Sequence, residues 1–543
     1  MSFEIRERDL LGRIGRLETK SGLIETPLLF PVINPSIQPI SPRRIRNVFC
    51  CEALITNAYI LKKRFQNEPI EKGLHKFLDF DGVIMTDSGA YQILVYGGIE
   101  TTPKEIVEYQ EQIDTDIATI LDYPTGWRVT RKHAENTSKQ TIKRAKELFK
   151  TKTRGDILWV GPIQGGQHLD VIVKSAKEMG KLPFQIFALG SPTEIMQQYH
   201  FDTLVDMIMT AKMNLPNGKP LHLFGAGHPF MFSLAIALGC DFFDSAAYTI
   251  FARNNRYMTE HGTHRLEELQ YFPCICPKCE KMSPKEVQEM PKKEKQAFLA
   301  EHNLYACQAE MRRIKQAIKD GRLWEHLEMQ SYGHPTLVGA LKKLKKYERY
   351  IEKFSPATKK SGVFYFDSVG LIRPEVVRHR KRLKERYSPP EEAKVLLLVP
   401  QTCMKPLHKS SEFKEIAKFL RGSFKEHVNK IHVCFYAAPF GVIPIELDEV
   451  YPLSQHEIAF PLDKDTIKYV LGQVAEYISS TNYETVVLMN NQENWNKDGL
   501  DICRSACRKK NIKFEYIKTG TNRSKIMFTS LEKNLSKALS EQP

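Results

Sequence analysis

Two aspartates stand where chemistry could be done. Asp87 closes the apolar run "GVIMTDSG" and Asp244 closes "DFFDSAAY". Facing one cavity, they would form the pair that substitution at an anomeric carbon needs. One carboxylate attacks or stabilises the cation and the other moves the proton. Similar runs end in Asn57, Asp122, Gln164, Gly190 and His228, and Ser88 follows Asp87 directly. Each has a plainer reading, because Asp and Asn at strand ends cap the next helix and Gly makes the turn. A polar set repeated at so many ends favours a site over a series of caps.

A second cluster reads as a metal site. "YFPCICPKC", residues 271–279, spaces Cys274, Cys276 and Cys279 as C-x-C-x-x-C, and the lysine-rich helical stretch after it delivers His302. Three thiolates and one imidazole make a closed tetrahedral zinc set with no position left for substrate. Cys307 competes with His302 for the fourth place. A disulfide scaffold is disfavoured, because eleven cysteines in 543 residues are sparse and odd in number. A redox centre lacks a thioredoxin-like context. The expectation is one structural zinc per chain, pinning an excursion rather than carrying out chemistry.

The elements that must position these residues follow from eight short apolar runs. They are 28–33, 52–60, 82–89, 117–124, 158–166, 184–191, 221–228 and 241–248, with helically spaced stretches such as 132–150 and 169–181 between them. Continuous apolar strands alternating with amphipathic helices indicate a parallel sheet covered on both faces. Eight of them favour closure into a (β/α)8 TIM barrel, whose strand C-terminal ends converge on one mouth and build the active site.

Composition sets the surroundings. The start "MSFEIRERDL" has no signal-peptide core, and no run of about 18 apolar residues suggests a membrane span. A soluble, cytoplasmic protein is expected, with no membrane partner. The 79 basic residues exceed the 64 acidic ones by 15, and the pI is about 9.1. Such a surface is either solubilising or suited to a polyanion such as nucleic acid.

Several ordered motifs carry a resemblance. "MTDSGAYQ", "LDYPTG", "IQGG", "HLFGAGHP", "FDSAAYTIFARNNRYMT", "YFPCICPKC" with "LAEHNL", and "HP" at 334–335 resemble the tRNA-guanine transglycosylases over residues 1 to about 388. The likeness is to the archaeal type, which exchanges guanine 15 of the tRNA D-loop for 7-cyano-7-deazaguanine (preQ0) in archaeosine biosynthesis. It implies that Asp244 attacks C1′ of the ribose and that Asp87 is the general acid/base, although the reverse assignment is also found in the family. It implies that Asp122 binds the base, and that Gln164, Gly190 and Ser191 line the base pocket. Ser191 departs from the second Gly often found there. The partners implied are tRNA and 7-cyano-7-deazaguanine, and a homodimer is among the assemblies expected.

The last third reads as a smaller domain. The basic run "RHRKRLKERY" (378–387) and "SPPEEA" read as a linker, and strands and helices then alternate from residue 394, indicating a small open parallel α/β sheet. "PFGVIPIELDEVYPLSQHE" is similar to archaeosine synthases. Their lysine motif is degenerate here, with Lys405 retained in "PQTCMKPLHKSSEF" and Gln401, Thr402, Leu407 and Phe413 departing. The division expected is a catalytic barrel over 1–345 with a zinc subdomain at 266–310, a basic linker over 346–390 and an archaeosine-synthase-like domain over 391–543. A PUA domain is not recognised, so this third substitutes for it or a separate PUA protein assists. Two other functions stay open: archaeosine synthase, or a non-catalytic tRNA-binding subunit. Retention of both Asp87 and Asp244 argues against a mere platform.

Overall fold

The computed structural model describes residues 3–92, 100–491, 495, 497–519 and 524–540. Two compact units divide between Pro356 and Ala357. The first begins with an antiparallel sheet of β1 (Phe3–Asp9), β2 (Gly12–Thr19) and β3 (Gly22–Glu25), which the apolar runs of the sequence do not announce. Its Leu17 and Ile24 pack with Leu28, Ala53, Val83, Ile117, Leu158 and Ile186. All six are the first residues of barrel strands, so this sheet closes the end of the barrel opposite the mouth.

The eight apolar runs become eight parallel strands: β4 (Leu28–Ile33), β5 (Ala53–Asn57), β6 (Val83–Asp87), β7 (Ile117–Thr119), β8 (Leu158–Ile163), β9 (Ile186–Leu189), β10 (Leu221–Leu223) and β11 (Phe242–Ser245). Pairing in chain order, with β11 beside β4, closes the barrel. Both faces are covered, which is why these strands read as unbroken apolar runs. Helices Arg131–Thr151 and Leu169–Gly180 lie within one residue of the expected spans. After the barrel, β12 (Arg256–Met258) and β13 (Thr263–Arg265) form a ribbon, and a long helix runs over Lys292–Asp320.

In the second unit, β14 (Val363–Tyr365) pairs with β18 (His456–Ile458) outside the main sheet. The main sheet is built from β15 (Val395–Pro400), β16 (Ile431–Ala437), β17 (Gly441–Pro444), β19 (Thr485–Asn491) and β20 (Lys513–Thr519). These five strands lie in the order β17-β16-β15-β19-β20. The sheet is not wholly parallel as expected: β17 runs antiparallel to β16. A short turn ending at Gly441, whose φ is +80°, returns the chain at once and leaves no room for a crossover helix. The basic run lies on helix Pro374–Arg386, which buries Val376, Val377, Arg378 and His379 and exposes Lys381, Arg382, Lys384 and Arg386. Among the described residues, no helix is long and apolar enough to cross a membrane.

Candidate active site and metal centre

The polar strand ends meet at the C-terminal mouth of the barrel. Asp87 ends β6 directly beside Asn57 at the end of β5. The Asp87 Oδ2 accepts hydrogen bonds from Asn57 Nδ2 at 2.8 Å and from the Gly89 amide at 3.3 Å. Asn57 also caps helix Ala58–Phe65 through Oδ1, accepting from the Ile60 amide at 2.9 Å. Capping and bracing are thus done by one side chain. Gly89 is required here: its φ is +91°, and a Cβ would stand 2.5 Å from that of Tyr59. Ser88 is fully buried and its Oγ has no hydrogen-bond partner among the described residues.

Burial pushes the Asp87 carboxyl up to about 7, and the negative charges of Asp122 and Asp244 push it the same way. Asp244 sits across the mouth on β11. Its Oδ1 accepts from His222 Nε2 at 2.8 Å and from the Gly225 amide at 3.0 Å. His222, on β10, opens the motif "HLFGAGHP" and joins the candidate site through this contact, a role that the motif by itself does not give it.

Asp122 follows β7 in irregular backbone, and Arg144 ties that backbone down by donating to the carbonyls of Leu121 at 2.8 Å and Asp122 at 3.3 Å. The Asp122 Oδ2 accepts from Gln164 Nε2 at 2.5 Å. Burial raises the Asp122 carboxyl to about 6, and this amide opposes the rise. Gln164 Oε1 in turn accepts from the Thr125 amide at 3.0 Å and from Ser191 Oγ at 3.1 Å. Ser191 has a φ of +61°, and its Oγ accepts from the amides of Thr125 and Gly126 at 3.0 and 3.1 Å. A Cβ on Gly190 would come within 2.2 Å of Gln164 Nε2, so only glycine fits under that amide. The expected residues Asp122, Gln164, Gly190 and Ser191 therefore form one network lining one side of the mouth. His228, by contrast, caps helix Pro229–Ala237 and meets Thr263 Oγ1 at 3.0 Å.

The ligand atoms of Cys274, Cys276, Cys279 and His302 all lie within 4.8 Å of one another. His302 Nδ1 is 3.3 Å from the Cys279 sulfur and 3.6 Å from that of Cys276. Thiolate and imidazole atoms bonded to one tetrahedral zinc stand roughly 3.6 Å apart, so the set fits such an ion. His302 Nε2 donates to the Met258 carbonyl at 2.8 Å, which fixes the tautomer that leaves Nδ1 bare for a metal. Cys307 takes no part: its thiol reaches the Gly227 carbonyl at 3.4 Å.

In the second unit, Lys405 Nζ donates to the Thr402 carbonyl at 2.8 Å, and burial lowers its pKa. Buried Asp448 holds the same loop, accepting from the amides of Leu407 and His408 at 3.0 and 2.8 Å.

The sequence profile of the family described as queuine tRNA-ribosyltransferase matches residues 9–336, and a profile described only as a domain of unknown function matches 376–539. The chain is 44% identical over 504 residues to the tRNA-guanine(15) transglycosylase of Methanocaldococcus jannaschii, covering 90% of this chain and 73% of that one. It is 42% identical over 494 residues to the protein of that name from Sulfolobus acidocaldarius, covering 90% of this chain and 95% of that one. The protein of that name from Saccharolobus solfataricus is 43% identical over 498 residues, with 90% and 96% covered.

Proposed function

The chain belongs to the queuine tRNA-ribosyltransferase family, and from that premise we propose that it exchanges guanine 15 of the tRNA D-loop for 7-cyano-7-deazaguanine. The observation that carries this reading is the unequal setting of two carboxylates at one mouth. Asp87 is lifted to about 7, where it can give and take a proton near neutrality. Asp244 is held through Oδ1 by two donors, which supports a nucleophile whose other oxygen is turned to the ribose. Two carboxylates in contrasting environments are the usual basis for dividing acid/base and nucleophilic roles.

In the first step a carboxylate oxygen of Asp244 bonds to C1′ as the bond from C1′ to guanine N9 breaks, and Asp87 delivers its proton to the departing base. In the second, the incoming deazaguanine loses its ring N9 proton to Asp87 and displaces Asp244 from C1′. Atoms and charge balance over the cycle without another reactant. Asp122 accepts from the N1–H and exocyclic amine shared by both bases. Gln164, Gly190 and Ser191 shape the pocket around it. Cys274, Cys276, Cys279 and His302 hold one structural zinc, and the second unit assists in gripping tRNA. The reaction takes place in the cytoplasm.

The test is purified protein with a tRNA transcript and radiolabelled guanine, followed by denaturing electrophoresis with a 7-deazaguanine base that traps the intermediate. Label incorporation and a denaturant-stable protein–tRNA band are expected. Asp244→Ala should lose the band. Asp87→Asn should keep tRNA binding and lose turnover by about a hundred- to ten-thousand-fold. No incorporation by well-folded protein would overturn the exchange. A band that persists in Asp244→Ala and vanishes in Asp87→Ala would reverse the two roles.

A further inference from the structure

We propose that His222 is the positioning residue that aims Asp244, an inference that rests on Asp244 being the nucleophile. The imidazole is fully buried in β10, and its Nε2 lies 2.8 Å from Asp244 Oδ1. Its ring stacks on Phe30, with centroids 5.8 Å apart and planes 10° off parallel, and the Phe224 ring is 4.7 Å away. A carboxylate oxygen accepts, so Nε2 carries the proton that it donates. The other nitrogen, Nδ1, is buried and has no hydrogen-bond partner among the described residues. A histidine kept for structure alone generally has both nitrogens satisfied when buried. Among the described residues this one has a single polar contact, and that contact is the carboxylate proposed as the nucleophile.

The geometry divides the labour between the two carboxylate oxygens. Both donors, His222 Nε2 and the Gly225 amide, fall on Oδ1. Two hydrogen bonds from different directions fix the carboxylate plane, and the apolar rings fix the imidazole that makes one of them. Oδ2 is left as the atom to meet C1′. As the ester forms through Oδ2, Oδ1 takes on carbonyl character and loses charge. The same donors then favour return of the carboxylate when the second base displaces it. His222 therefore acts on both half-reactions through Asp244 and makes no contact of its own with the base or the ribose.

The experiment compares His222→Phe with His222→Gln. Phenylalanine keeps an apolar ring between Phe30 and Phe224 and removes the donor. Glutamine can place an amide N–H near the original Nε2. Misaiming a reacting group costs on the order of a hundredfold, so His222→Phe should lower kcat and the single-turnover rate of adduct formation by about that factor. KM for tRNA should stay within roughly twofold, because binding is untouched. The melting temperature should hold within about 4 °C. His222→Gln should recover most of the lost rate, which a purely packing role would not produce. Adduct formation at the parent rate in folded His222→Phe overturns the proposal, as does equal loss in both variants. Failure of the underlying reading looks different, since Asp244→Ala would then still form the adduct.

Discussion

Burial and like charge give Asp87 a pKa of about 7 in the folded protein, against 3.8 in the absence of those effects. The folded state therefore binds the Asp87 proton more tightly than the unfolded chain does. Between about pH 4 and pH 7 stability falls as pH rises through this window, and above it the penalty of holding the charged form is constant. Asp87→Asn removes that penalty. The variant is expected to melt at a higher temperature than the parent at pH 8, by an amount equivalent to a few kcal/mol at most, and the difference should shrink towards pH 4. Thermal melts of both proteins across that range are the check, and an offset that is the same at both ends would refute the account. The same residues show what a sequence exposes. Asp87, Asp122, Gln164 and Asp244 are legible as polar groups breaking an apolar run. His222 is not, because a lone histidine inside "LHLFGAG" looks like a residue of the strand core. Its partner lies 22 positions away, and only strand pairing brings them together.

At the scale of elements, the cluster of three cysteines and His302 joins a loop to a helix and ribbon. His302 projects from helix Lys292–Asp320, stacks on Tyr257 of β12 with centroids 3.6 Å apart, and is anchored to the Met258 carbonyl. Cys279 belongs to the core that also includes Tyr257, Val287, Phe298 and Leu299. Helical geometry decides between His302 and Cys307, since five residues at roughly 100° each turn the two side chains about 140° apart. One faces the cysteines and the other faces Gly227. Choosing between them requires knowing which face of the helix meets the loop, and that is a property of packing. Cys276→Ala, or prolonged chelation, is expected to lower the melting temperature and to reduce exchange only as the folded fraction falls, because a closed four-ligand site contributes folding free energy. Metal analysis should give about one zinc per chain. Metal-free protein with unchanged melting would refute the assignment. The barrel strands are legible because strands buried on both faces are continuous apolar runs. The N-terminal sheet is not, because β1 alternates partly buried with exposed residues in "FEIRERD" and lacks such a run.

For the whole molecule, the surplus of 15 positive charges finds a use if the partner is tRNA. Part of it lies in the second unit, on helix Pro374–Arg386. That helix is amphipathic rather than evenly solvated: Val376 and Val377 are buried with Arg378, while Lys381, Arg382 and Lys384 face outward. Lys384 Nζ also lies 2.7 Å from Glu476, an exposed pair worth little against a phosphate. Basic groups that touch phosphate release condensed counterions, so every phosphate neutralised adds to the salt dependence of binding. Replacing Lys381, Arg382 and Lys384 together with alanine is expected to flatten the slope of log affinity for tRNA against log salt, by roughly 0.7 to 0.9 for each phosphate no longer neutralised. Arg378→Ala is the contrasting variant: its side chain is buried, so it should lower the melting temperature and leave the slope of the folded protein unchanged. Binding isotherms at four or five salt concentrations separate the two effects. If the triple variant keeps the parent slope, the outward edge of this helix is only a solubilising face, and the tRNA phosphates are met by other residues of the chain.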